Sequence, residues 1–589
     1  VVQVVHLIEV QAQVIAARQV LVIAGHQVQA QLTALHQAQV LRRAVVVIAV
    51  VVIAVDHREV VLADRQADRQ AVDQVTEDKS IKFRIKYKQH LNTEIMKRII
   101  YTISIILITC SAFSQDLTDA LRYSNYHISG TARSAAMGNA FGALGGDFTS
   151  LSINPAGVAV YRSGEFTFTP SFGKTSVDGI YLGNKSSDSK YNIGLDNLGY
   201  VNTIPIGENS ETGLVSISFG LGFNKLANFS MNNLAEGANA QNSLLNYFTN
   251  NANDNNISNY YEDLAIRTNL LYLDKGTTAP YKNDLTKQGY GQSQLKSMQR
   301  SGYINEYILS VGANFNHKFY VGATLGIQNL EFKDNANIKE WDANNNILFF
   351  NDYNFNTSLK TTGNGFNVKI GAIYKPIEQL RLGIAFHTPT FYNLNDSYDS
   401  EMKSSITYSD GFTENLTAIP DKPGVYDYHL ETPMRTILSG AYVIGKLGLI
   451  SVEYEIVDYS AAKLKNGSGG YNYIEENKAI SNAYKTVGNL HIGGEYRINK
   501  VFSLRAGYEN FPSVYKKTYL NKTSPNSDTS YSTVSAGFGF KQGNFFFDAA
   551  VKSMMNSEFL KFYPDPAATD MAKYETKQNN VIFTLGYKF

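Results

Sequence analysis

The stretch YILSVGANFNHKFYVGATLGI, residues 307–327, decides the fold. Tyr307, Leu309, Val311, Ala313 and Phe315 occupy alternate positions, and beyond Asn316-His317-Lys318 the alternation resumes as Phe319, Val321, Ala323, Leu325 and Ile327. A period of two places successive side chains on opposite faces of a strand, and so short a turn makes the pair an antiparallel hairpin. The intervening Ser310, Gly312 and Asn314 are polar or small, so one face is apolar and the other is not.

The pattern recurs along the chain. Val215, Ile217, Phe219, Leu221 and Phe223 form an earlier stripe. Phe366, Val368, Ile370, Ala372 and Tyr374 pair across residues 375–379 with Leu380, Leu382, Ile384 and Phe386. Further pairs fall at 433–444 with 447–459, 486–497 with 500–508, and 533–540 with 544–552, and a last strand carries Val581, Phe583, Leu585, Tyr587 and Phe589. Between the pairs lie segments rich in Asn, Ser, Asp and Tyr, at about 174–190, 224–303, 334–362, 390–430, 461–483, 512–529 and 554–577. Short turns alternating with long segments are the grammar of an outer-membrane barrel, whose periplasmic turns are tight and whose extracellular loops are long. With weaker strands near 165–173 and 197–206 the count reaches about 14, an even number with both ends periplasmic.

The phase opposite the apolar stripe settles which way round the barrel is built. Ser216, Ser218 and Gly220, then Asn367, Lys369 and Gly371, then Glu453 and Glu455, then His491, Gly493 and Glu495 are polar or small. A soluble barrel would place its apolar phase inside, whereas a wall in lipid places it outside. The expected fold is therefore all-β, a transmembrane antiparallel β-barrel of about 14 strands spanning 165–589 in the outer membrane of a Gram-negative cell. Its terminal Phe589 suits recognition by the outer-membrane assembly machinery, and a monomer surrounded by outer-membrane lipid is expected. So wide a barrel leaves a hole. Residues 115–164 are available to plug it as an N-terminal hatch: they are rich in Gly and Ala, with helical potential at Leu117–Tyr123 and the turn Asn154-Pro155-Ala156-Gly157.

Composition agrees. The 589 residues hold 53 Lys and Arg against 52 Asp and Glu, and mean hydropathy is −0.21. Near-neutrality removes the electrostatic footprint of a nucleic-acid partner, and the hydropathy argues against a polytopic helical protein. The 38 Tyr and 32 Phe suit a lipid-facing wall with interfacial girdles.

The first 95 residues use a different alphabet. From Val1 to Thr76 there is no Phe, Tyr, Trp, Ser, Asn, Pro, Lys or Met. Met96-Lys97-Arg98, the apolar run Ile99–Thr109 and Ser111-Ala112-Phe113-Ser114 then have the three parts of a secretory signal peptide. Residues 1–95 read as non-native upstream translation, disordered if present, and 96–114 as the signal. The rival reading, a membrane anchor at Ala44–Val55, is a dozen residues long, short of the roughly 20 a spanning helix needs. Cys110, the single cysteine, follows Thr109 where a lipoprotein signal usually has Gly, Ala or Ser. Residues 115–589 then hold 40 basic and 43 acidic side chains.

The stretch Gly130-Thr131-Ala132-Arg133-Ser134-Ala135-Ala136-Met137-Gly138, followed by Gly145-Gly146-Asp147 and Asn154-Pro155-Ala156-Gly157, resembles the N-terminal hatch of FadL/TodX-type outer-membrane transporters. Leu504-Arg505-Ala506-Gly507-Tyr508 with Pro512, and Ser535-Ala536-Gly537-Phe538-Gly539-Phe540, resemble that family's late strands. The wording of the hatch is similar to the Bacteroidetes branch, often labelled hemin receptors or membrane proteins of aromatic-hydrocarbon degradation. The resemblance implies passive uptake of hydrophobic small molecules, long-chain fatty acids or aromatic hydrocarbons. Extracellular loops would capture the ligand, the lumen would bind it, and it would leave sideways, gated by the hatch turn Asn154–Gly157. Gly220 and Gly222 on the third strand would permit the kink beside a lateral gate, or serve simply as small lumen-facing residues.

Lys369, Arg381 and Arg505 fall on the lumen phase and are candidates for a ligand carboxylate, which an Arg fork suits best. The competing reading puts them in a charge network joining wall to hatch, with Glu453, Glu455, Glu495 and Asp548 as partners. Heme would want His or Tyr ligands, and His127, His317, His387, His429 and His491 show no ligand spacing. No cofactor, metal site or catalytic constellation is expected: no Gly-x-Ser-x-Gly motif accompanies His491, and Asp396, Asp399 and Glu401 read as solvated turn chemistry. Two alternatives remain, a scaffold or shuttle in type IX protein secretion and a hemin receptor. The signal reading predicts that N-terminal sequencing of purified protein returns a chain beginning at Gln115; a product that begins at Val1 overturns it.

Overall fold

The computed structural model describes residues 117–206, 212–274, 276, 280–523, 529–563 and 570–589. The upstream stretch 1–95, the signal 96–114 and Gln115 lie outside the described residues. The alternating stripes become a closed antiparallel wall of 14 strands. In chain order these are β1 Glu165–Tyr181, β2 Asn184–Pro205, β3 Leu214–Asn228 continuing as Met231–Gly237, β4 Ser293–Phe315, β5 Phe319–Trp341 and β6 Asp352–Tyr374. Then come β7 Leu380–His387 continuing as Phe391–Thr407, β8 Gly424–Glu431 continuing as Arg435–Ile444, β9 Gly448–Asp458 and β10 Thr486–Arg497. The wall ends with β11 Phe502–Phe511, β12 Tyr531–Gln542, β13 Phe545–Lys561 and β14 Met571–Lys588. Each strand pairs with its neighbour in sequence, and β14 returns to β1 from Glu165↔Lys588 to Ile180↔Lys573.

The two phases divide as the sequence requires. Leu309, Val311, Leu325, Ile327, Val368, Ile370, Leu382 and Ile384 are exposed on the outer face. Ser218, Ser310, Asn314, Asn367, Lys369, Glu453, His491 and Glu495 are buried in the lumen. Pro389 and Pro433 break β7 and β8 side by side, because proline has no N–H to give the ladder. The break is bridged by Thr390 and Thr432, which exchange Thr390 N–H to Oγ1 of Thr432 (2.9 Å) and Thr432 N–H to the Thr390 carbonyl (3.1 Å).

Strand length departs from the sequence expectation. The stretches 174–190, 334–362 and 390–430 read as loops, yet β1 and β2 run on to a turn at Leu182-Gly183, and β5 and β6 to a loop of only 342–351. The strands β4, β5 and β6 are 23 residues each, although 9–11 tilted residues cross the hydrocarbon. Their outer halves stand above the bilayer. There both faces meet water or packed loops, so the ladder persists while the apolar alternation disappears.

The true extracellular cap is the segment 238–292. It carries helices Leu244–Asn253, Glu262–Arg267 and Asp284–Gln288; the first and last start at Ser243 and Asn283, whose side chains accept backbone N–H bonds. Leu244, Leu245, Phe248 and Leu264 bury against Tyr353, Phe355, Met402 and Tyr574 of the extended wall. The carboxylate of Glu340 ties the cap down, accepting from Leu244 N–H (3.0 Å) and from the amides of Gln292 (2.9 Å) and Gln294 (3.1 Å). Because Leu309 faces lipid, Leu309→Arg is expected to destabilise the barrel by about 2–4 kcal/mol. Urea titration of protein refolded into vesicles measures this, with Leu348→Arg on the exposed loop between β5 and β6 expected to change stability by less than about 0.5 kcal/mol.

Candidate functional site

The lumen is filled by the chain's own N-terminal segment. Helix Leu117–Ser124 lies in the outer half, where Ala120 and Tyr123 pack with Leu226, Ile304, Phe332, Tyr392, Tyr428 and Tyr459. Tyr123 meets Phe229 and Phe332 edge-on, and the Arg122 guanidinium sits 4.3 Å from the Phe332 ring. Helix Ala132–Ala136, helix Ser150–Ile153 and the 3-10 turn Pro155–Val160 fill the inner half before the chain enters β1.

The turn Asn154-Pro155-Ala156-Gly157 is fully buried. The Asn154 amide donates to Gly142 O (2.6 Å) and Ala372 O (3.2 Å), and its Oδ1 accepts from Ala156 N–H (3.1 Å). The side chain thus caps the 3-10 turn and ties it to β6. Wall residues Gly322 and Gly371 make the contact possible, since a Cβ on either would collide with Pro155 or Asn154. Gly220 serves the same end, since a Cβ there would meet Leu151, while at Gly222 a Cβ would meet the Leu198 carbonyl of β2 first and then Phe148.

A belt of buried charge joins wall to plug. Lys369, 1% exposed, bonds both oxygens of Glu306, 0% exposed, at 2.7 and 2.6 Å, and also Ser152 O at 3.1 Å. The Ser152 hydroxyl donates to Glu306 at 2.7 Å. Glu453 accepts from Gly142 N–H (2.7 Å), and Arg435 pairs with Glu455 (2.6 Å) while reaching Ser124 O. Asn139 of the plug donates to Glu509 (3.0 Å), which also pairs with Lys552 (2.7 Å). Nearer the periplasm, Arg133 of the plug and Arg505 share Glu495 at 3.0 and 2.9 Å, and Arg505 adds Asp548 at 2.6 Å.

Lys369 and Arg505 therefore have their charges taken up by carboxylates of the wall. Arg381 differs: its Nη1 donates to Leu144 O of the plug (2.7 Å), and no carboxylate pairs with it among the described residues. Glu306, Arg133 and Arg435 are members of the belt that sequence reading did not single out. Glu306 falls on the Ser310, Gly312, Asn314 phase two steps earlier, so extending that stripe finds it. His127, His387 and His491, distant in sequence, line one cavity of about 40 Å³ together with Glu453, Glu455 and Glu509. The His387 Nε2–H donates to Ile153 O (2.8 Å), which leaves Nδ1 buried with no partner among the described residues. A larger cavity, about 650 Å³, opens under the plug at the end carrying the short turns, with Arg133, Glu495, Arg505 and Asp548 inside and Lys446 and Lys500 at its rim.

The wall is not laddered everywhere. The β2–β3 pairing runs from Pro205↔Ser216 to Asn197↔Asn224 and stops, so among the described residues the edge of β2 from Asn184 to Asp196 has no ladder partner on that side. Just beyond Gly222, β3 shifts register between Lys225 and Ala227. Its continuation, Met231–Gly237, follows β4 instead and lies against Gly179 of β1. The plug meets this irregularity: His127 N–H and Ser129 N–H donate to Leu226 O and Lys225 O, both at 3.0 Å.

A closed lipid-facing wall, a polar charge-latched lumen and a covalent plug define an outer-membrane transport barrel. A family model described as outer membrane protein transport protein (OMPP1/FadL/TodX) matches residues 262–589, more than half of the sequence, and the chain belongs to that family. Among solved structures it is similar to a Pseudomonas aeruginosa FadL homologue at 12% identity and TM-score 0.47, covering 79% of this chain and 99% of that one. The Pseudomonas putida toluene transporter TodX gives 13% and 0.42, with 77% and 98% covered. The Ralstonia pickettii toluene transporter TbuX gives 13% and 0.41, with 78% and 98% covered. No curated protein matches the chain.

Removing one member of a buried pair strands the other charge at a cost of about 3–5 kcal/mol, whereas replacing both with apolar groups is often near neutral. Glu306→Gln is thus expected to lower the urea midpoint far more than the double variant Glu306→Leu with Lys369→Met. Equal losses would show that the pair does not act as a unit.

Proposed function

We propose that the protein takes up hydrophobic small molecules, long-chain fatty acids or aromatic hydrocarbons, passively and without chemical change. The cap at 238–292 is the capture surface, the Tyr-rich outer lumen is the binding region, and the unladdered span between β2 and β3 is the exit into the membrane. The observation that carries this reading is the free edge of β2. Ile193 and Tyr191 on that edge are 80% and 72% exposed, more than the outward residues of the fully paired strands β4 to β6. An apolar solute in the outer lumen meets the charged belt below it and an apolar, unladdered wall beside it. Crossing the belt would desolvate several ion pairs, so the sideways path is the cheaper one.

The plug gates that path in this reading. Its N–H groups at His127 and Ser129 satisfy the carbonyls of the β3 irregularity, so displacement of the helix Leu117–Ser124 by a ligand would release the bonds that fix the bend. The turn Asn154–Gly157 anchors the other end of the same segment.

The gap can be stapled. The Lys225 Nζ lies 2.7 Å from Asp196 Oδ1 across the point where the strands part, and Cys110 is the chain's single cysteine. In a D196C/K225C double variant, uptake of labelled oleate and toluene by cells is expected to fall at least fivefold when the pair is oxidised and to recover on reduction. Unchanged uptake in the oxidised, fully cross-linked protein overturns the lateral route. Asn154→Ala is expected to alter uptake while the barrel still assembles, as read by heat-modifiable migration on gels.

A further inference from the structure

Among the described residues the cations of the charged belt are neutralised by carboxylates, and Lys296, higher in the lumen, donates to the Phe562 carbonyl (2.5 Å). Lys369, Arg435, Arg133, Arg505 and Lys552 each contact a carboxylate at 3.0 Å or less. Arg381, near the start of β7, does not. Leu144 O takes its Nη1, and its Nε is buried with no hydrogen-bond partner among the described residues. The charges around it make the imbalance worse. Arg162, just before β1, and Lys375, in the turn between β6 and β7, lie within electrostatic reach of Arg381 and of one another; Arg133 and Arg497 act on Arg381 as well, but both pair with Glu495. The phenol of Tyr320 faces the same group and is held by its bond to His317 O (2.9 Å). Lys375 is one register step beyond the Leu382↔Tyr374 pair, so Lys375 and Arg381 stand abreast on neighbouring strands, an arrangement that repels when the charges are alike. Glu378, on the exposed turn, acts on Lys375 but ion-pairs with none of the three among the described residues.

All of these groups sit at the end of the barrel that carries the short turns, beneath the plug residue Leu144. A partly buried guanidinium with a spare N–H, flanked by two further cations, lacks only an acceptor that brings negative charge. Carboxylate and phosphate oxygens are the groups that match an Arg fork.

We propose that Arg381, with Arg162 and Lys375, forms an oxyanion site at the periplasmic mouth, directly under the plug, for a carboxylate- or phosphate-bearing small molecule. The site is separate from the β2–β3 gap and does not depend on the route of uptake. An occupant would hold the Arg381 guanidinium from the periplasmic side while Leu144 holds it from the plug side, so binding also steadies the plug.

Isothermal titration of the purified barrel in uncharged detergent tests this with sodium octanoate, sodium phosphate and octan-1-ol. At least one of the two anions is expected to bind saturably, at least tenfold more weakly to Arg381→Gln and severalfold more weakly to Lys375→Gln, and more weakly as salt rises from 50 to 500 mM. Octan-1-ol is expected to bind the wild type and both variants alike. Octanoate without phosphate identifies a carboxylate-bearing hydrophobe as the occupant; binding of both identifies a general oxyanion site. The proposal is overturned if neither anion saturates, or if both bind Arg381→Gln as they bind the wild type. Should Arg381→Gln fail to assemble, Lys375→Gln on the turn carries the test, and wild-type affinity there is then the overturning result. The D196C/K225C experiment touches none of these residues, so the uptake route and the anion site fail separately.

Discussion

Hydrocarbon offers a backbone N–H or C=O nothing to bond with, and the rest of this molecule follows from that constraint. It forces the wall to close on itself, β14 onto β1, and it turns the apolar phase of every strand outward. With the apolar phase spent on lipid, the interior is left polar, and a wide polar interior must be filled. The plug fills it, and its inner half is held by the charged belt together with apolar clusters, Met137, Phe141 and Leu144 against Ala385, Ile437 and Ala441, and Phe148, Leu151 and Val158 against Val201 and Ile308. Above the bilayer, where the constraint lapses, the interior becomes a larger apolar core around Tyr123, Tyr392, Tyr428 and Tyr459.

The same constraint explains why the β2–β3 irregularity stands out. A strand edge left without a ladder partner is costly in lipid unless something else meets its polar groups. Here the compensation comes from within. The plug supplies two backbone donors to β3, and the Lys225–Asp196 pair closes the corner where the strands separate. The stretch of wall where the β2–β3 ladder ends is thus one whose neighbouring carbonyls the plug itself helps to satisfy.

Much of this was legible in the sequence because a lipid-facing strand writes its environment at alternate positions. Leu309 and Ile370 declare lipid, Ser310 and Lys369 declare lumen, and counting the stripes gives the strand number. Legibility ends where that contrast ends. The outer halves of β5 and β6 have no lipid on either side, so Asn335, Asn337 and Asn356 look like loop residues while they hold a ladder. The belt was half legible. Lys369 and Arg505 stand out as charges in a phase of small residues, but their partners are chosen by the barrel's circumference, which the linear chain does not encode. The meeting of His127, His387 and His491 is invisible for the same reason. Glycines were legible as small and not as specific: that Gly371 clears space for Asn154 requires the plug to be in place.

The closure of β1 against β14 carries a consequence for how the protein is made. The first wall strand and the last are the two farthest apart in the chain, so the final ladder is a contact of the highest sequence separation the barrel contains, and such contacts form late. The plug precedes β1 and is buried behind wall strands from β2 to β14. It cannot be threaded into a finished cylinder through turns this short. It has to be wrapped, with the sheet curling around it while the seam is open, so the glycines that receive Asn154 and Phe148 shape the order of assembly as well as the finished fold.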